Sequence, residues 1–338
     1  MKTSSFSTFT DVLSLSLTLL LLLSLPSPSL GAAKCNADDK KVLLQIKAGL
    51  NNPYLLASWT PDTDCCSWYA LDCDSKTGRV IHLTIFDGNV SAQIPATIGD
   101  LPYLEMLDMN RLTNLNGPIP SSIAKLTNLN FLRLKSNRLS GVVPTFLSQL
   151  KKLTFLDLSF NFFSGSIPPS LSQLPNLLAL HLDHNNLTGN IPDSFGSFAG
   201  NTPDLYLSNN FLSGQVPKSL GYVNFSSEID LSSNNLVGDA SFLFGKNKTV
   251  QFVELSMNSF QFDLSKVEFP DGLTNLDLSV NKIFGSLPAG LTKLNLQFLN
   301  VSYNSLCGQI PQGGKLQSFD STAYDHNKCL CGAPLAAC

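Results

Sequence analysis

Between Cys73 and Cys307 the chain has no cysteine, and nowhere does it carry the paired C-x-x-C spacings of a structural zinc site. Charge is scarce and balanced: 22 lysines and arginines face 25 aspartates and glutamates across 338 residues, a formal net charge of −3. That leaves no basic surface for nucleic acid. Beyond the amino-terminal run that ends at Leu25, no stretch of about 18 apolar residues occurs, so no membrane span is expected after it. A phosphate-binding loop, a metal cluster and a Ser-His-Asp arrangement are all missing as well, which argues against an enzyme, a metal and a cofactor.

What the chain has is repetition. An asparagine three positions after a leucine pair recurs at Asn137, Asn161, Asn185, Asn210, Asn234, Asn258, Asn281 and Asn304, in steps of 23 to 25 residues. A period in the twenties with the pattern L-x-L-x-x-N-x-L is that of a leucine-rich repeat solenoid, whose single coils cannot bury their own apolar edges. Two less regular coils, centred on Leu83/Ile85 and Leu107/Met109, come first, so about ten coils are expected. The fold class is an α/β solenoid, a right-handed superhelix with a parallel sheet on its concave face.

Within a coil such as "FLDLSFN", Leu156 and Leu158 alternate with Phe155, Asp157 and Ser159, the period of a strand with one buried face. Asn161 then turns the chain, and its amide is suited to backbone groups of neighbouring coils that the turn leaves unpaired. The phrase "FFSGSIP", with variants in other coils, supplies a bend and a second short strand stopped by proline. The remaining residues suit short helical turns on the convex side. The eighth repeat lacks the usual glycine after Asn258, and the second carries extra residues in "NRLTNLNGPIP", so irregularity is expected at both.

Lys2, the apolar run Val12–Leu25 and the small residues Gly31 and Ala33 read as a secretory signal peptide over residues 1–33. The cysteines divide into Cys35, Cys65, Cys66 and Cys73 at one end and Cys307, Cys329, Cys331 and Cys338 at the other. In an oxidising compartment they would staple two lids over the exposed ends of the stack, with two pairings open at each end. The lids are assigned to residues 34–79 and 307–338, with the repeats over 80–306. Ahead of the first coil, Val42, Leu43, Ile46 and Leu50 share one helical face, with Asn36 or Asp38 as its cap. Glycosylation sequons stand at Asn89, Asn186, Asn224, Asn247 and Asn300.

Outward side chains of the parallel strands form one continuous concave surface, where a solenoid usually binds. Its central column reads Thr84, Asp108, Arg133, Asp157, His181, Tyr206, Asp230, Glu254, Asp277 and Asn300; the column before it includes Phe131, Phe155, Phe252 and Phe298. Lys135 and Asp183 lie in the column after. Strands stack about 4.8 Å apart, so Asp230, Glu254 and Asp277 form a run of like charge that invites a cationic partner, with phenylalanines as apolar anchors. Two carboxylates at that spacing also fit a retaining glycosidase, but an open curved sheet supplies no cleft to enclose a sugar. His181 beside Asp157 and Asp183 is the only other arrangement resembling acid–base equipment, and it reads as surface coincidence.

The amino-terminal segment "CNADDKKVLLQIKAGLNNPYLLASWTPDTDCCSWYALDCDS", the eighth repeat "GKNKTVQFVELSMNSFQFDLSKVEFP" and the tail "CGQIPQGGKLQSFDSTAYDHNKCLCGAPLAAC" resemble plant polygalacturonase-inhibiting proteins. The resemblance implies a secreted cell-wall defence protein whose concave face binds pectin-degrading endopolygalacturonases of fungi, and of insects. It also implies the disulfides 35–65, 66–73, 307–329 and 331–338. Pectin binding through clustered basic residues, reported for some members, has only Arg111, Arg133 and Lys135 to draw on here. Two other readings are an ice-binding protein, drawing on the column Ser159, Asp183, Ser208, Ser232, Ser256, Ser279 and Ser302, and a soluble extracellular co-receptor. The interleaved acids and aromatics break the regular array that ice would need.

Overall fold

A computed structural model describes residues 33–338. The expected signal peptide therefore lies, all but Ala33, outside the described residues. From Val80 onward, ten strands stack in parallel into one sheet, starting with Val80–Gly88 and Met106–Leu112 and ending with Asn275–Asp277 and Phe298–Asn300. Their inward leucines, among them Leu83, Leu107, Leu132, Leu156, Leu180 and Leu205, are fully buried in a continuous column. An eleventh strand, Leu71–Cys73, joins the sheet antiparallel at its first edge, Leu71 opposite Leu83, so that edge is not left open to another chain.

Each ladder asparagine ties its own coil to the preceding one. Asn161 Nδ2 donates to Leu134 O at 2.8 Å in the preceding coil and to Leu158 O at 3.1 Å in its own, while its Oδ1 accepts from Leu139 N at 3.0 Å. The same set of bonds recurs at Asn185, Asn210 and Asn234. Immediately before each of the eight asparagines the backbone is left-handed, with φ between 53° and 55°, even at Phe160 and Val280. Bulky and β-branched residues rarely adopt that conformation, so the ladder bonds hold it in place.

After the ladder turn, short strands from Ala92–Gln93 to Ser259–Phe260 build a second parallel sheet of eight strands. The repeated glycine makes the bend. Gly214 sits at φ 77°, where a side chain would be strained, and a Cβ there would meet Asn190 Oδ1 at 2.5 Å. Proline then stands immediately before most of the short 3₁₀ turns on the convex side, as Pro144 does before Thr145–Gln149. The second sheet stops at the eighth repeat, the one without its glycine; Ser259–Phe260 has no partner strand in the ninth, and a separate three-stranded sheet begins at Phe284–Gly285. In the second repeat the extra residues form a turn at Thr113 and Asn114 between Met106–Leu112 and Leu115–Gly117.

The amino-terminal lid is the helix Ala37–Gly49, capped by Asn36, whose side chain accepts from Asp38 N and Asp39 N. Leu43, Ile46 and Leu50 are buried under it. Asp39, buried as well, accepts from Arg79 at 2.7 Å and from Val80 N at 2.9 Å, which pins the lid to the first parallel strand. Disulfides join Cys35 to Cys65 and Cys66 to Cys73 at this end, and Cys307 to Cys329 and Cys331 to Cys338 at the other. The carboxyl-terminal lid also continues the ladder. Asn327 donates to Val301 O at 3.0 Å and accepts from Leu306 N at 3.0 Å, and the buried Tyr324 fills the place of a leucine.

Candidate functional site

The parallel sheet sets outward side chains side by side: Asp230 is in register with Glu254, Glu254 with Asp277, and Phe131 with Phe155. The two halves of this face then behave differently. In the first half nearly every group is satisfied within the chain. Asp108, only 2% exposed, accepts from Arg133 Nε at 3.0 Å and from the Asn110 amide at 2.7 Å, and the Arg133 guanidinium also lies over Phe131 at 5.4 Å. The Arg133 guanidinium is held even more firmly charged by its hydrogen bond to Asp108. Phe131 and Phe155 stack at 4.6 Å between ring centroids, Phe155 meets His181 at 5.2 Å, and His181 stacks on Tyr206 at 4.0 Å.

Two expected contact acids are withdrawn by this packing. Asp157, placed in the outward column by strand alternation, is only 3% exposed: its carboxylate bends back to accept from Ser159 N and Oγ at 3.0 and 2.6 Å, and Arg133 and His181 stand in register on either side of it. Asp108 is spent on Arg133. Phe131 and Phe155, expected as exposed anchors, are half-buried by their mutual stacking, whereas Phe298 stays 42% exposed. The His181–Asp183 pairing is loose, 4.0 Å from Nδ1 to Oδ1; Asp183 instead accepts from His184 at 3.0 Å. Burial pushes the Asp183 carboxyl up and the His181 imidazole down. His184 and Phe160 stack at 3.9 Å, with Lys135 above Phe160 at 5.1 Å; that pair was not among the expected residues. Of the basic residues considered for pectin, Arg111 pairs with Asp87 at 2.6 Å.

In the second half the compensation runs out. Tyr206 donates to Glu228 Oε2 at 2.8 Å and marks the boundary; burial and that bond hold its hydroxyl well above the usual tyrosine range. Asp230 and Asp277 repeat the device seen at Asp157, each accepting from the serine two residues on, Ser232 N at 3.0 Å and Ser279 N at 2.9 Å. Glu254 is one methylene longer and does not fold back. Among the described residues no hydrogen bond or ion pair reaches its carboxylate, and burial, together with Asp277, Asp230 and Glu228, pushes it up to about 8. Glu228 is pushed up too, by burial first and then by Asp230 and Asp204. Half-buried Phe252 and exposed Phe298 flank this acidic run.

The leucine-rich repeat N-terminal domain model matches residues 36–74, and leucine-rich repeat models match 127–187, 204–223, 272–294 and 295–315. A polygalacturonase inhibitor of Pyrus communis is 64% identical over 304 residues, covering 90% of this chain and 92% of its own length. The chain belongs to the polygalacturonase-inhibitor family. A Vitis vinifera polygalacturonase inhibitor is 63% identical over 311 residues, covering 92% of this chain and 93% of its own. Among solved structures, a plant ice-binding protein superposes with a TM-score of 0.88 at 54% identity, covering 90% of this chain and 99% of its own. That likeness lies within the same solenoid architecture as the family's. Among the described residues no helix is long and apolar enough to cross a membrane.

Proposed function

We propose that this protein is a secreted, non-catalytic plant cell-wall defence protein that binds endopolygalacturonases of fungi, and of insects, through the carboxyl-terminal half of its concave face and slows their attack on pectin. The observation that carries the reading is Glu254: a half-buried carboxylate without a partner among the described residues, flanked by Asp230 and Asp277 and bordered by Phe252 and Phe298. A basic rim around a partner's cleft would neutralise that run while the two aromatic rings anchor it. The relatives named polygalacturonase inhibitors support the partner class. Arg133, Tyr206, His181, Asp183 and Lys135 then serve chiefly to build and border the surface, and pectin itself is not proposed as a ligand because Arg111 and Arg133 are already paired.

Ice binding, carried by the solved relative's description, is disfavoured by the serine column. Ser159, Ser208, Ser279 and Ser302 are buried, and the hydroxyls of Ser159, Ser232 and Ser302 donate to Asp157, Asp230 and Asn300. The deciding experiment is the double variant Asp230→Lys/Glu254→Lys, assayed for inhibition of several purified endopolygalacturonases alongside its melting temperature. Inhibition of at least some should be abolished with the fold intact. Normal inhibition of every enzyme tested would move the binding site off this face.

A further inference from the structure

The column that precedes the acidic run sets Phe252, Asn275 and Phe298 in register on three successive strands. Phe298 is exposed, and Phe252 and Asn275 are half-buried. The two rings stand two strand steps apart, roughly 10 Å, with the Asn275 amide between them. A flat group with a ring against each face occupies about 7–8 Å, so a small lean of the rings closes the slot on one planar group. Asn275 Oδ1 is buried and accepts no hydrogen bond among the described residues. A buried amide oxygen in that state lacks a donor, and rotation about its terminal torsion, which is broad for asparagine, turns it towards one entering between the rings. Two residues on along the same strands, Glu254 and Asp277 add acceptors in the neighbouring column.

The chain fills one site of this kind with a side chain of its own. In the first half of the sheet the Arg133 guanidinium lies over the Phe131 ring at 5.4 Å and donates to Asp108, in register with it on the adjacent strand. The second half repeats the phenylalanines and the acids, yet no arginine occurs anywhere after Arg138. We propose that the slot between Phe252 and Phe298 receives an arginine of the bound endopolygalacturonase. Its guanidinium lies between the rings and donates to Asn275 Oδ1 and to Glu254, as Arg133 serves Phe131 and Asp108. Lysine is a poor substitute, because its ammonium is a compact, strongly hydrated point charge with no plane to lie between rings. The proposal deepens the concave-face reading and rests on it.

The test uses a purified fungal endopolygalacturonase that the full secreted chain inhibits. Each arginine around the enzyme's cleft is replaced in turn by lysine, and affinity is read by surface plasmon resonance so that inactive enzyme variants still count. One replacement should weaken binding about tenfold. Phe252→Leu/Phe298→Leu should weaken binding of the unmodified enzyme by a similar factor and leave that one replacement without further effect. Asn275→Leu, which removes the unpaired oxygen, should melt no lower than the natural chain and still bind less tightly, a combination that a structural role would not produce. Binding unchanged by every arginine replacement overturns the slot, as does a loss that adds in full to that of the phenylalanine variant, or an Asn275→Leu chain that binds as tightly as the natural one. If Asp230→Lys/Glu254→Lys then abolishes binding, the acidic face stands without the slot; if that variant binds normally, the reading of the face falls and the slot falls with it.

Discussion

The two halves of the concave face are built from the same strand and the same columns, yet one half is closed on itself and the other is open. From Asp108 to Tyr206, ions pair and rings stack until little is left to offer a partner. From Asp230 to Phe298, like charges accumulate and Glu254 is left without a partner among the described residues. The difference teaches that a repeating surface becomes a binding surface where its own repetition fails to satisfy it.

The sharpest way to break the comparison is Arg133→Met. It should cost about 3–5 kcal/mol, because Asp108 would remain buried without its guanidinium, and chemical denaturation would read the loss. Inhibition per folded molecule should be unchanged. If instead the variant is fully stable and inhibits poorly, the first half is a contact surface after all.

Glu254→Gln tests the open half. The Glu254 carboxyl is raised from its ordinary 4.5 to about 8 in the folded protein, so its contribution to stability is fully present below pH 4.5 and is lost as pH rises towards 8. Glutamine should remove that slope, raising stability at pH 8 by on the order of 2 kcal/mol and leaving it unchanged near pH 4. A cationic partner would pull the same carboxyl down, so binding should release a proton into buffer at pH 6. Titration calorimetry in buffers of different ionisation enthalpy would detect it, and the variant should abolish it.

The smallest effect belongs to the ring stack. Phe155→Leu should cost about 0.5–1.5 kcal/mol beyond lost area, with little change in inhibition. A large loss of inhibition at unchanged stability would extend the contact surface past Tyr206.

Much of this was legible in the chain because the constraint is local. A ladder amide has to recur once per coil, so eight asparagines announce eight coils. Asn327 escaped because Thr322 and Tyr324 stand where the leucine pair would be, and a buried tyrosine fills the interior as well as leucine does. Strand alternation correctly turns Asp157 outward, but alternation describes the backbone, and the carboxylate's return to Ser159 depends on the side chain. The same limit hid what sets Glu254 apart from Asp230 and Asp277 in the acidic run: its extra methylene separates a carboxylate engaged with its own strand from one left for a partner. The Arg133–Asp108 pair spans 25 residues in sequence and becomes visible only when the strands are in register.

That Asn327 continues the ladder means the carboxyl-terminal lid grips the last coil by the same handholds that every coil uses on its predecessor. A lid of this kind is indifferent to how many coils lie beneath it. One could excise or duplicate a whole coil ahead of Ser305 and still close the stack with the same Cys307–Cys329 and Cys331–Cys338 clasps. The molecule is thus a measuring stick that can be cut to length, its reach across a partner set in increments of one strand spacing while both ends stay the same.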